Sequence, residues 1–175
     1  MTTSLRAELD YLRDIVRDIR ETTTPSTRTG DQWRLIARES ETAKAESFER
    51  CDTDGFLSQW AHQQMQGRYM DMARIADDGG TVTRVAVFDL DGNLVTMKTV
   101  SGQYGESWFI PQNEGRARFF NESEAVKAET RRRNNEKKGY RLGEVRVRVE
   151  MSEHDYKITE DVVEVVSTDY LADEI

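Results

Sequence analysis

From Leu5 onward, apolar residues recur at Leu5, Leu9, Leu12, Val16 and Ile19, separated by four, three, four and three positions. That interval places side chains on one stripe of a helix. Charged residues of both signs, among them Arg6, Glu8, Asp14 and Arg17, occupy the intervening positions and suit a solvated face. Thr2, Thr3 or Ser4 can cap the start, and the helix should stop near Glu21, because Pro25 and its neighbouring threonines cannot continue it. The stripe supports two readings: a helix packed on its own domain, or a seam joining two copies or a partner helix.

The helical period returns at Trp33, Ile36 and Ala37, after which the polar run 38–46 fits either helix or linker. A third helix is predicted within 47–78 from Phe56, Leu57, Trp60, Ala61, Tyr69, Met72 and Ala73, with Asp52 or Thr53 as cap and Gly79-Gly80 as its end. Beyond Gly80 the period changes to two. Val82 to Leu90 alternates, Asp91-Gly92-Asn93 supplies a turn, and Leu94 to Val100 returns, which predicts a β-hairpin. Glu106 to Ile110 and Arg116 to Phe120 extend it to a four-stranded antiparallel meander. A polar helix is predicted from 121 to 138, ended by Gly139, and Glu144 to Met151 and Lys157 to Ser167 read as closing strands. The expected class is therefore α+β: N-terminal helices, an antiparallel β-meander, a basic helix and closing strands. The expected division is a helical appendage over 1–45 and an α+β domain over 46–175.

Composition narrows this picture. The 175 residues suit one domain, or a domain with a small appendage, and exclude a large multidomain enzyme. Hydrophobic residues make up 37% and charged residues 33%, and the mean hydropathy is −0.76, so a thin core under a large solvated surface is expected. No apolar run reaches the roughly 18–20 residues that span a bilayer, and the N-terminal residues lack the basic-then-apolar pattern of a secretory signal. No membrane partner and a cytoplasmic setting are the expectations. Cys51 is the single cysteine and His62 and His154 the only histidines, too few for an intrachain disulfide or a Cys/His zinc site.

Charge is distributed in blocks. Residues 116–148 carry 11 basic against 5 acidic side chains, and residues 149–175 carry Lys157 alone against 9 acidic ones. The densest part of the basic block holds Arg131, Arg132, Arg133, Lys137, Lys138 and Arg141, which can meet the phosphates of a nucleic acid or an acidic protein, with Asn134 or Asn135 within reach of a base edge. The competing reading is that the acidic end of the chain folds back and cancels the stripe internally.

Catalytic patterns are sparse. Val87-Phe88-Asp89-Leu90-Asp91-Gly92 resembles the first motif of the haloacid-dehalogenase-like phosphatases, which implies Asp89 as nucleophile, Asp91 as general acid/base and a magnesium ion. That motif belongs at a strand-to-helix junction, whereas here it falls at a hairpin turn, so the turn reading is preferred. Asp52-Thr53-Asp54-Gly55 begins like a calcium loop but lacks the later ligands, and is read as a cap. No cofactor and no metal are assigned.

Three stretches taken together, 46–61, then Phe88 to Val95 with Lys98, Gly102, Tyr104-Gly105 and Trp108, then Lys138-Gly139-Tyr140, resemble small accessory proteins of bacteriophages of actinobacteria, a group without an established activity. The resemblance covers about Glu46 to Val149. It implies a phage origin, a host cytoplasm and action by binding a host macromolecule, a host protein foremost, with no catalysis. A nucleic-acid-binding module using 116–148, a virion or assembly component and a magnesium-dependent phosphatase are the alternatives.

Overall fold

The computed structural model describes residues 4–50, 53–105, 107–111, 115–121, 124–135 and 139–168. The chain forms two compact units. The first holds the chain up to Thr81 together with Val149–Lys157; the second holds Val82–Arg148 and the chain from Ile158 onward.

In the first unit, helix α1 (Leu5–Thr22) begins at Ser4, whose side-chain oxygen accepts a hydrogen bond from Ala7 N. A short 3-10 turn, Pro25–Thr27, separates it from α2 (Gly30–Arg50), and α3 (Thr53–Asp77) follows. A reciprocal cap opens α2: Gln32 N donates to Thr29 Oγ1 at 3.2 Å, and Thr29 N donates to Gln32 Oε1 at 3.0 Å. The polar run 38–46 is therefore helix, and the expected domain boundary at 45 falls inside α2. No break is available there, because Ala43, Glu46 and Ser47 are buried. Helix α3 ends as expected on two left-handed glycines, with Gly80 N donating to Ile75 O at 2.8 Å.

Val16 and Ile19 of α1 pack with Trp33, Ile36 and Ala37 of α2 and with Tyr69, Met72 and Ala73 of α3. Leu9 and Leu12 are also buried, and Leu5 is half-buried. A dimer through the α1 stripe would have to open this core.

In the second unit, β1 (Thr81–Asp89), β5 (Tyr140–Met151) and β6 (Tyr156–Ser167) form one sheet in the order β1-β5-β6, while β2 (Thr96–Ser101), β3 (Ser107–Pro111) and β4 (Arg116–Ala117) form another in the order β3-β2-β4. Both sheets are antiparallel, and α4 (Glu124–Asn135) completes an α+β fold.

The expected four-stranded meander is corrected here. The Asp-Gly turn forms, with Asp89 N donating to Asn93 O and Val95 N to Val87 O, but β1 and β2 then part into different sheets. The cause lies in β1, where Val85, Ala86, Val87 and Phe88 are all buried and both faces need cover. Val85 and Val87 pack with Val95, Met97, Val126, Tyr140 and Leu142 on one face; Ala86 and Phe88 pack with Val145 and Val147 on the other. The fourth strand is shorter than expected: only Arg116–Ala117 pairs with β2, and Phe120 makes an isolated bridge to Val85. None of the described helices is long and apolar enough to cross a membrane.

Candidate functional site

The basic stripe is built from the end of α4 and the length of β5. Arg131 and Arg132 are exposed on α4, and Arg141 is exposed near the start of β5. Lys137 and Lys138 lie outside the described residues, as does the side chain of Arg133. Part of the stripe is neutralised at short range. Arg132 Nη2 donates to Glu129 Oε1 at 2.8 Å, Arg148 Nε to Asp161 Oδ2 at 2.9 Å, and Arg146 Nη1 lies 3.5 Å from Glu164 Oε2. The last two pairs join β5 to β6, so part of the acidic end of the chain does lie on part of the stripe. Asn134 serves the fold, since its side-chain amide donates to Tyr140 O at 2.9 Å and accepts from Tyr140 N at 2.5 Å, closing the connection from α4 to β5.

Asp89 sits at the turn after β1. Its Oδ1 accepts from the backbone N–H groups of Asp91 at 2.9 Å and Asn93 at 2.8 Å, and its Oδ2 lies 3.3 Å from Asn93 Nδ2. The Asn93 backbone hydrogen bond holds this carboxyl below its usual range; burial opposes it, and the Asn93 side chain and the Asp91 and Gly92 N–H groups add to the lowering. A carboxylate saturated by its own turn is a poor nucleophile. Asp89→Asn, which keeps one acceptor oxygen, should melt close to the unsubstituted protein, while Asp89→Ala should melt lower. Neither they nor the parent should release phosphate from p-nitrophenyl phosphate with magnesium; turnover abolished by Asp89→Asn would restore the phosphatase reading.

The first unit holds a polar cluster that no sequence pattern announces. Arg28 has a side chain only 1% exposed and grips Glu153 through two hydrogen bonds, Nη1 to Oε1 at 3.1 Å and Nη2 to Oε2 at 2.8 Å. Its Nε donates to Thr23 Oγ1 at 3.0 Å, and its guanidinium lies 4.9 Å from the centroid of the Trp33 ring. Arg20 Nε reaches the same carboxylate at 2.7 Å. Beside it, the Tyr69 hydroxyl lies 2.9 Å from His154 Nδ1, and burial pushes that hydroxyl above its usual range. These contacts fasten the turn 152–155 to the helices of the first unit.

An open groove of about 420 Å³ runs along the start of α1 and the end of α2, lined by Leu5, Ala45 and Phe48 but also by Glu41, Lys44 and Glu49. Cys51 and Asp52 lie outside the described residues, as do the side chains of Thr53 and Asp54. Among the described residues, no group of three or more His, Cys, Asp or Glu is placed to hold a metal ion.

Another apolar surface among the described residues lies on β6. Ile158 and Val162 pack into the core of the second unit, but Val163, Val165 and Val166 are 48%, 49% and 48% exposed. Because neighbouring side chains on a strand point to opposite faces, the half-exposure of Val165 and Val166 shows that the described residues leave both faces partly open at this end. Periodicity places the strand but does not by itself mark this surface; the available signal was the paired valines, Val162-Val163 and Val165-Val166, which breach the alternation. Comparisons with protein-family models, with curated proteins and with solved structures find no match to this chain.

Proposed function

We propose that this is a phage-encoded accessory protein that works in the cytoplasm of the host cell by binding a host macromolecule, foremost a protein, without catalysis. The observation that carries the reading is the uncovered valine edge of β6, since an apolar strand end with exposed valines on both faces is a feature of surfaces that meet other chains. The resemblance of residues 46–61, of the Asp89-Leu90-Asp91-Gly92 hairpin with Trp108 and of Lys138-Gly139-Tyr140 to phage accessory proteins supports the origin and setting.

A nucleic-acid target is the second reading, favoured by the exposure of Arg131, Arg132 and Arg141 and weakened by the ion pairs that Glu129, Asp161 and Glu164 make within the stripe. The test is retention of host-lysate components on the immobilised protein with and without nuclease. Discrete host proteins should be retained equally in both. Retention that disappears with nuclease would transfer the function to the basic stripe, and retention of nothing would overturn the binding reading.

A further inference from the structure

Strand β6 pairs with β5 along one edge, and in the sheet order β1-β5-β6 no described strand lies on its other side. It is 12 residues long, about twice the usual strand length. Such edges are normally blunted by lysine, proline or a short span, because a row of unpaired N–H and C=O groups is a template for another chain. Lys157 stands at the start of β6, but from Ile158 to Ser167 the strand contains no lysine, proline or glycine, and its charged residues are Glu160, Asp161 and Glu164.

The edge that is already occupied shows what β6 accepts. Its neighbour β5 reads Val145-Arg146-Val147-Arg148-Val149, and the two arginines pair with Glu164 and Asp161 across the strands. The acids of β6 are thus complemented by a strand in which arginine and valine alternate.

We infer that the outer edge of β6, over 160–166, takes up an extended segment of a partner protein in which basic and β-branched residues alternate, adding it to the sheet as a fourth strand. The inference rests on the binding reading above and gives its partner a chemistry. Backbone hydrogen bonds supply the register, Val163, Val165 and Val166 supply apolar contact, and Glu160 supplies attraction for the partner's cations, with a share from Asp161 and Glu164, which also hold Arg148 and Arg146 of β5. A second copy is the poorer occupant, because pairing two β6 strands brings two sets of three acids together with no base between 158 and 167.

The experiment uses the full chain and a fluorescent peptide of alternating arginine and valine, eight residues long, read by anisotropy. Controls are the same peptide with every second backbone nitrogen methylated along one edge, tested for each edge, and a peptide of equal composition with its arginines grouped together. The alternating peptide should bind, one of the two methylated forms should bind roughly tenfold or more weakly, since it loses several backbone hydrogen bonds, and the grouped form should bind weakly too. Val163→Lys with Val165→Lys alters exposed side chains only, and should weaken binding while the melting temperature stays near that of the parent. Methylated and grouped peptides that bind as well as the alternating one would reduce the effect to charge and overturn the inference. So would absence of binding, or dimers in light scattering that the lysine variant splits. Host proteins retained equally by the lysine variant would leave the binding function standing and remove β6 from it.

Discussion

Glu153→Ala should lower the stability of the first unit by about 2–3 kcal/mol in urea denaturation. Removing one member of a buried ion pair typically costs about 3–5 kcal/mol, because the remaining charge stays buried without its partner. Here the Arg28 side chain is 1% exposed but that of Glu153 is 35% exposed, so water screens part of the attraction and the lower figure applies. After the substitution Arg28 retains only Thr23 and the face of Trp33. The pH dependence has a definite sign. Burial tends to raise the Glu153 carboxyl, but the hydrogen bonds and charges of Arg28 and Arg20 outweigh it and hold the group below its ordinary value of 4.5. A depressed carboxyl contributes its stability above the unfolded-state value and loses it as pH falls through the folded-state value. Glu153→Gln should therefore differ from the parent fully at pH 7, with the difference shrinking below about pH 4.5. Tyr69, the other titratable group close to Glu153 on α3, is uncharged throughout that range. An equal difference at pH 7 and pH 3 would remove the clasp as its origin.

That cluster marks where the sequence stops being informative. The period at Trp33, Ile36 and Ala37 placed α2 but not its start, although Thr29-x-x-Gln32 has the form of the reciprocal cap whose two hydrogen bonds the structure makes. The α1 stripe and the Gly79-Gly80 ending were also plain in the periodicity, because both are local. The seam's occupant was not, since an apolar stripe looks the same whether it faces α2 and α3 or a second copy. Arg28 and Glu153 stand 125 positions apart, and neither a lone arginine in a threonine-rich turn nor a lone glutamate between two strands signals its partner.

In the second unit the Asp-Gly turn was readable, but the division into two sheets depended on noticing that Val85 to Phe88 leaves no polar face. The same reasoning applies to the surface. Counting charges found the basic stripe, while the pairing of Arg146 and Arg148 with β6 needed the fold. The exposed edge that carries the functional proposal was written in the doubled valines of a strand whose place in the sheet order no local pattern specifies.

Gly143 offers the sharpest check on the second unit. A glycine inside a strand usually weakens it, and alanine in its place would ordinarily stabilise by about 0.4–1 kcal/mol through the unfolded chain. At this position the opposite is expected. A Cβ on Gly143 would overlap the edge of the Phe88 ring and lie 2.5 Å from the carbonyl oxygen of Ser167. The ring cannot easily withdraw, because Phe88 is 1% exposed and packed with Ala86, Val145 and Val147. Overpacking of this kind costs about 1–3 kcal/mol, which exceeds the entropic gain, so Gly143→Ala should lower the urea midpoint and Gly143→Val should lower it further. The cause can be separated from general strand damage by a double-mutant cycle with Phe88→Leu. The smaller side chain costs stability alone, but it vacates space beside Gly143, so the alanine penalty should shrink in its presence. An undiminished penalty would place the clash at the Ser167 carbonyl, and an alanine variant as stable as the parent would contradict the approach of Phe88 to Gly143 on which the core of this unit is built.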